Sequence, residues 1–334
     1  MNGSELEQAI THYKTPFYIF DMDLLAAQVK KLRMILDSDV ELCYAMKANP
    51  FLIKELEEQV DYFEVCSPGE FHICENAAIP MNKIVMSGVY KNPEDMKTAL
   101  DSYGSAIIYT IESRVQWDIL EQYSKNQSSP LQVLLRLTNG NQFGMDKKDI
   151  EQIIASHSPD SPLQIIGIQY FSGTQKKAVS KLKNELEMLD TFCCELYSQY
   201  KFTVQKLEYG PGLPAYYFQE ETNEELLILD ALAEQLHNLK FSGKITLEIG
   251  RFLAAPCGSY VTRVVDLKIN KNQSYCIVDG GMHHFNYYGQ MMAMKKPPII
   301  HWKEGNGVPK EWTVCGSLCT ANDVLVKQYP LIDL

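Results

Sequence analysis

Short apolar, β-branched runs recur along this chain with amphipathic stretches between them, and that alternation limits the fold more than any other feature. The runs are Val40–Ala45, Asp61–Val65, Lys83–Ser87, Ala106–Thr110, Leu131–Leu137, Leu163–Tyr170, Lys206–Tyr209 and Lys244–Ile249. Most are apolar almost without a break, as in Val133-Leu134-Leu135 and Ile165-Ile166-Gly167-Ile168, the pattern of parallel strands buried on both faces. Helix-like spacing marks Leu24–Leu36, Pro50–Val60, Pro93–Ser102, Arg114–Ser124, Lys147–Ser156, Lys177–Tyr200 and Asn223–Leu239. Asn92-Pro93-Glu94-Asp95 is a clear helix start, with a cap, a proline at the first position and acids in the first turn. Strand–helix alternation over roughly 230 residues is the size of a (β/α)8 barrel. A doubly wound open sheet gives the same alternation, so periodicity alone leaves both architectures open.

After Pro256 the character changes. Tyr260–Ile269, Ser274–Val278 and Glu311–Val314 read as strands, turns such as Asn270-Lys271-Asn272 lie between them, and no helix of a dozen residues appears. The early run Phe17–Phe20 is a candidate partner for these strands. The expected organisation is therefore a barrel over 23–256 and a β-rich domain from 1–22 and 257–334, built from both chain ends.

The formal net charge of −11 argues against nucleic acid, which demands a basic surface. No apolar run approaches the roughly 20 residues of a membrane span. The opening Met1-Asn2-Gly3-Ser4-Glu5 lacks the basic and apolar regions of a signal peptide, so a cytoplasmic location is expected. Nine cysteines include no C-x-x-C pair, and seven histidines form no H-E-x-x-H helix. Neither a disulfide framework nor a metal site is expected.

Four stretches carry candidate chemistry. In Cys43-Tyr44-Ala45-Met46-Lys47-Ala48-Asn49-Pro50 a lysine ends an apolar strand, where a barrel would point it into the active-site face. Desolvation there would lower its pKa and make it a competent nucleophile for a Schiff base, whereas the plainer reading is a lysine emerging into solvent. Leu207-Glu208-Tyr209-Gly210-Pro211-Gly212-Leu213 places glycines directly after a strand, suited either to an anion or to an ordinary turn. Thr246-Leu247-Glu248-Ile249-Gly250-Arg251 sets an acid and an arginine at the last strand's end, for which a simple ion pair also suffices. Val314-Cys315-Gly316-Ser317-Leu318-Cys319-Thr320-Ala321-Asn322-Asp323 offers two cysteines that are otherwise plain core residues.

In this order, the four stretches resemble the fold-type III pyridoxal-phosphate decarboxylases, the family of diaminopimelate, ornithine and arginine decarboxylases. The resemblance runs from Thr15-Pro16-Phe17-Tyr18 to Asp323 and includes Phe63-Glu64-Val65-Cys66-Ser67-Pro68-Gly69-Glu70, Gln142-Phe143-Gly144 and Val278-Asp279-Gly280-Gly281-Met282. It favours the barrel over the open sheet and implies a homodimer with active sites at the interface. It implies that Lys47 carries pyridoxal 5′-phosphate as a Schiff base and that Glu248 pairs with the pyridine nitrogen. Gly210, Gly212, Thr174 and Arg251 would hold the phosphate. Cys319, reaching in from a partner subunit, would stand near the substrate Cα, with Asp279 also on the substrate side. The implied reaction is loss of CO2 from Cα through a quinonoid carbanion, followed by reprotonation.

The pattern departs from the family in three places. In Gly167-Ile168-Gln169-Tyr170-Phe171-Ser172-Gly173-Thr174, Phe171 stands where relatives carry a cofactor-stacking histidine, so stacking is retained and titration is not. Thr320 follows Cys319 where relatives have an acid that binds a distal ammonium. The expected substrate therefore has a neutral or bulky far end, as in secondary metabolism and antibiotic biosynthesis, including glutamate tethered to an acyl carrier protein. Tyr287-Tyr288-Gly289-Gln290-Met291-Met292 would line such a site through Tyr288, unless it is core packing. The chain stops at Leu334, whereas relatives continue through strands with a Gly-x-Tyr motif, so the β-rich domain is expected to be C-terminally incomplete. Two further readings are an amino-acid racemase, which Glu248 disfavours, and a non-catalytic pyridoxal-phosphate-binding or regulatory homologue, which Lys47 and Cys319 disfavour.

Overall fold

The computed structural model describes residues 3–125, 127–284, 293–302 and 306–332. In chain order the elements are α1 (Gly3–His12), β1 (Phe17–Phe20), α2 (Met22–Ile35), β2 (Glu41–Ala45), α3 (Ile53–Leu56), β3 (Tyr62–Val65), α4 (Pro68–Asn76) and β4 (Ile84–Met86). These are followed by α5 (Pro93–Tyr103), β5 (Ile108–Ile111), α6 (Arg114–Ser124), β6 (Leu131–Leu137), α7 (Lys147–Ser156), β7 (Leu163–Phe171), α8 (Val179–Tyr200) and β8 (Lys206–Gly210). The chain ends with α9 (Glu225–His237), β9 (Lys244–Ile249), α10 (Arg251–Ala254), β10 (Gly258–Val261), β11 (Val264–Asn270), β12 (Gln273–Val278), β13 (Lys310–Cys315) and β14 (Val324–Leu331).

Strands β2 to β9 are parallel and close into a barrel. Closure runs through β2 and β9, with Glu41 opposite Thr246, Leu42 opposite Leu247, Cys43 opposite Glu248 and Tyr44 opposite Ile249. That pairing excludes the open sheet, whose edge strands would stay unpaired. The apolar runs are the buried strands: Leu42, Phe63, Ile84, Val133, Leu134, Leu135, Ile168, Leu207 and Leu247 are fully excluded from solvent. Each of the eight expected runs corresponds to one barrel strand.

Expectation and structure differ at two helices of the barrel. The Pro50–Val60 helix is reduced to a 3-10 turn at Pro50–Leu52 followed by the single turn of α3. Helix α4 was not expected. Ser67 caps it by accepting the Glu70 N–H at 3.3 Å, Pro68 opens it, and Glu70 Oε2 accepts the Cys66 N–H at 2.7 Å. This is a variant of the reciprocal capping box, written openly in Ser67-Pro68-Gly69-Glu70.

The chain forms two compact units, Leu25–Ala215 with Glu224–Pro256, and Met1–Leu24 with Tyr216–Asn223 and Cys257–Leu334. Residues 216–223 belong to the second unit because Gln219 N–H donates to the Lys296 carbonyl at 2.9 Å and its amide donates to Tyr329 Oη at 2.8 Å. In that unit β1 pairs antiparallel with β10, and β11-β12-β13-β14 form a separate sheet. Tyr260–Ile269 is two strands rather than one. Asp279 Oδ1 accepts from Thr262 Oγ1 at 2.7 Å and from the Arg263 N–H at 2.9 Å, which takes the Thr262-Arg263 step out of the ladder. The Asn270-Lys271-Asn272 turn is the β11–β12 hairpin, with positive φ at Lys271 and Asn272. No helix among the described residues is long and apolar enough to cross a membrane.

Candidate active site

After Ala45 the chain leaves β2 and tightens into a 3-10 turn over Met46–Ala48. Asn49 caps the next turn by accepting the Phe51 N–H at 3.0 Å, and Pro50 fixes its first residue. This sequence of turns lifts Lys47 off the strand at its C-terminal end. Its Nζ lies 2.6 Å from Glu64 Oε2 and 3.0 Å from Glu248 Oε1. The lysine side chain is 46 % exposed, whereas Glu64 and Glu248 are 1 % and 5 % exposed, so the cation caps a buried acidic pair.

Burial opposes the Lys47 charge, but Glu248 and Glu64 outweigh it and hold the ammonium well above the usual lysine range. This corrects the expected lowering by desolvation: without cofactor Lys47 is a cation. The contact between Glu64 and Glu248 favours the charge on Glu64 and the proton on Glu248. Burial works against ionising either, yet Lys47 is strong enough to keep Glu64 low. Burial and the Glu64 charge push Glu248 up.

A third carboxyl completes the group. One carboxyl oxygen from each of Glu64, Glu208 and Glu248 lies within 4.8 Å of the other two. Glu208 is fully buried, accepts from Gln169 Nε2 at 2.5 Å, and is pushed up to about 7 by burial and the Glu64 charge. Gln169 Nε2 also donates to Ser87 Oγ at 3.2 Å, and Ser87 Oγ to Thr110 Oγ1 at 3.1 Å. Ser87 follows β4 and Gln169 is on β7, which are not neighbours, so this chain of bonds crosses the barrel interior. Burial and the Glu64 charge push both Glu208 and Glu248 up, so a further cationic group beside them, such as a protonated ring nitrogen, would be stabilised there.

The rim next to this group is built by β7 and β8. Phe171 ends β7 with its ring centroid 5.8 Å from Lys47 Nζ. Gly210 packs against that ring so closely that a Cβ there would lie 2.4 Å from Phe171 Cδ2. Gly212 has φ +58°, and a Cβ on it would meet the Gly173 carbonyl oxygen at 2.0 Å. Only glycine satisfies both conditions at 212. Thr174 is exposed on the loop after β7, and Arg251 opens α10 three residues after Glu248.

The structure thus brings Lys47, Glu248, Phe171, Gly210 and Gly212 to the C-terminal ends of the barrel strands. Cys319 and Thr320 belong to the other unit and are exposed on a loop folded around Asp323. That carboxylate is buried and accepts the Met282 N–H at 2.6 Å and the Leu318 N–H at 2.8 Å. Asp279 uses Oδ1 for Thr262 and Arg263 and Oδ2 for the Thr15 hydroxyl at 2.5 Å. These bonds make it a brace within the unit. Tyr288 lies outside the described residues.

The family model "Pyridoxal-dependent decarboxylase, pyridoxal binding domain" matches residues 22–255. The chain belongs to the pyridoxal-dependent decarboxylase family. It is 26% identical to diaminopimelate decarboxylase of Aquifex aeolicus over 97% of this chain and 80% of that one. It is 25% identical to L-glutamyl-[BtrI acyl-carrier protein] decarboxylase of Niallia circulans, over 98% and 82%. The solved lysine decarboxylase of Selenomonas ruminantium has the same fold, with a TM-score of 0.84 and 20% identity over 100% of this chain and 87% of that one. The cofactor of this decarboxylase is pyridoxal phosphate, and its reaction class is that of a carboxy-lyase.

Several residues of the candidate site had no role in the expectations from sequence: Glu64, Glu208 and Gln169, together with Arg136, whose charge acts on Glu64 and whose Nη1 lies 3.1 Å from Glu112 Oε1. Their signal was present. Phe63-Glu64-Val65, Leu135-Arg136-Leu137, Ile168-Gln169-Tyr170 and Leu207-Glu208-Tyr209 each set one polar residue inside an apolar strand. Such a residue is costly to bury unless it is partnered.

Proposed function

We propose that this enzyme removes the α-carboxylate of an amino acid or amino-acid derivative whose far end is not a free ammonium, with Lys47 as the attachment point of the cofactor. The observation that carries the site assignment is Lys47 seated between Glu64 and Glu248 beneath the Phe171 ring. When bound, pyridoxal phosphate supplies an electron-accepting ring for the electrons of the breaking Cα–carboxylate bond.

The residues divide the remaining work. Lys47 would hold the cofactor through its Nζ and would give way to the substrate amine. Glu248 would pair with the ring nitrogen and stabilise a proton there, the added positive charge favouring the ionised form of a carboxyl that burial and Glu64 otherwise push up. Phe171 packs against a planar ring but has no proton to give, so proton movement falls to other groups. The backbone N–H groups around Gly210 and Gly212 receive the phosphate, with Thr174 and Arg251 beside them. Cys319 delivers the proton to Cα from a second copy of the chain, in a homodimer with its active sites at the interface.

The substrate reading rests on Thr320. The loop 317–322 is exposed and offers no acid next to Cys319, so a distal ammonium finds no partner there. The carrier-protein decarboxylase among the relatives supports a tethered glutamyl substrate and a place in secondary metabolism. The test is CO2 release by the enzyme supplied with pyridoxal phosphate, on free diaminopimelate, free ornithine and glutamate thioesterified to an acyl carrier protein. Turnover of the tethered substrate at least 100-fold above the free diamino acids is expected. Efficient turnover of free diaminopimelate would overturn the substrate reading.

A further inference from the structure

A second buried cation lies under the rim of the site. Lys176 is in the loop after β7, and its side chain is 2 % exposed. Its Nζ donates to Glu185 Oε2 at 2.6 Å, Ser172 Oγ at 3.0 Å and the Gly210 carbonyl at 3.3 Å. Those three bonds use every proton of the ammonium. Lys176 therefore has none left for a ligand. Glu185, on α8, is equally committed: Oε1 accepts from the Ser172 hydroxyl and Oε2 from Tyr209 Oη at 2.7 Å. The Lys176 N–H donates to the Gly212 carbonyl at 2.9 Å, and a Cβ on Gly212 would lie 2.8 Å from Lys176 Cε.

These contacts join the β7 loop, the end of β8 and helix α8 through one ion pair. On α8 the partner lies among Leu182, Leu186 and Leu189 on the apolar stripe, where a glutamate has no reason to be unless something charged meets it. Burial pulls Lys176 down while Glu185 holds its charge. The pair fixes the two loops whose glycines face each other, Gly173 against Gly212.

We propose that Lys176, paired with Glu185, is a positioning residue for anion binding: it sets the Gly210–Gly212 backbone in the conformation that receives the cofactor phosphate. The inference rests on the proposed phosphate role of Gly210 and Gly212. It goes further by naming what holds them.

Pyridoxal phosphate and pyridoxal share every contact except the phosphate, so the ratio of their affinities isolates this role. The experiment titrates each into the full chain without cofactor and compares wild type with K176M/E185M, with G212A as a control for the cradle. The double variant removes both charges together and leaves no unpaired ion buried. We expect pyridoxal phosphate to bind at least tenfold more weakly to K176M/E185M, with pyridoxal unchanged within twofold, and G212A to lose the same preference. If G212A loses it and K176M/E185M retains it, the positioning role is wrong and the cradle stands. If G212A retains it, the cradle assignment falls and this inference with it. Should circular dichroism show K176M/E185M unfolded, E185Q carries the test: it keeps the shape and removes the charge, and an unchanged affinity ratio overturns the proposal.

Discussion

Lys47 turns back at the end of its strand and sets its ammonium 2.6 Å from Glu64 Oε2, a carboxylate that is almost wholly buried. Removing the cation therefore does two things. Lys47→Ala should abolish the absorbance band near about 420 nm that a lysine-linked cofactor gives. It should also strand acid in the barrel. Breaking a buried pair costs about 3–5 kcal/mol, and the half-exposed lysine reduces this to about 1–3 kcal/mol. Urea unfolding of the cofactor-free variant should show that loss at pH 8 and a smaller one at pH 5.5, where buried carboxyls deprived of the cation take up protons instead.

Glu208 makes stability depend on pH. Its ordinary value is 4.5 and the folded protein pushes it up to about 7, so the native state binds more protons between those limits. This group's contribution to stability is thus complete below pH 4.5 and is lost as pH rises through about 7. Groups facing it set the size of the effect: Glu64 and burial raise it, while Gln169, Lys206 and Lys47 oppose. Thermal unfolding of cofactor-free protein should give a midpoint that falls between pH 5 and pH 8. Glu208→Gln should flatten that slope by at most about 3 kcal/mol. An equal slope in both proteins would show that Glu208 does not titrate there.

Phe171 allows a separate test of the rim. Phe171→Ala opens space beside Gly210 and removes the ring surface, and aromatic contacts of this kind are worth about 0.5–1.5 kcal/mol. Cofactor affinity should fall about three- to tenfold. Phe171→His keeps a planar ring and should hold affinity within about threefold, while adding a group that titrates near pH 6.5 to the pH–rate profile.

The parallel strands were legible because their runs are apolar on both faces, but closure of β2 against β9 was not in the periodicity, which an open sheet shares; the family resemblance supplied it. Lys47 and Glu248 were legible as charges at strand ends. Glu208 and Gln169 were harder, because one polar residue in an apolar strand says that a partner exists without saying which strand supplies it. Helix α4 went unread although Ser67-Pro68-Gly69-Glu70 announces its start, because only Phe71 and Cys74 of its nine residues are buried and no apolar stripe marks it. Strand β14 was missed for another reason. Val324–Leu331 is interrupted by exposed Lys327 and Gln328, and Gln328 has φ +50°, so the alternation breaks midway. The Lys176–Glu185 pair needed three dimensions, since nothing local tells a buried lysine from its exposed neighbour Lys177.

Asp323 is expected to control the Cys319 loop. Its carboxylate accepts two backbone N–H groups, from Met282 and Leu318, and a Cβ on Gly316 would lie 2.2 Å from Asp323 Oδ2. Asp323→Ala leaves both donors without this partner, and because Met282 and Leu318 lie at the surface, where water can replace it, the cost is about 0.5–1.5 kcal/mol each. Faster hydrogen exchange at Met282 and Leu318 should follow, together with a changed alkylation rate at Cys319. Unchanged exchange at both amides would mean that the loop holds its shape without the carboxylate.

The substrate assignment predicts a gain of function as well as losses. Thr320 is exposed beside Cys319, so a carboxylate introduced there faces solvent and costs the fold little. Thr320→Glu supplies the negative charge that a distal ammonium requires. Such a pair, partly desolvated by bound substrate, is worth about 1–2 kcal/mol, or roughly five- to thirtyfold in affinity. The variant should therefore gain kcat/KM on free diaminopimelate or ornithine by that factor, chiefly through KM, and gain nothing on carrier-tethered glutamate. An equal change on both substrates would show that residue 320 does not face the distal end of the substrate.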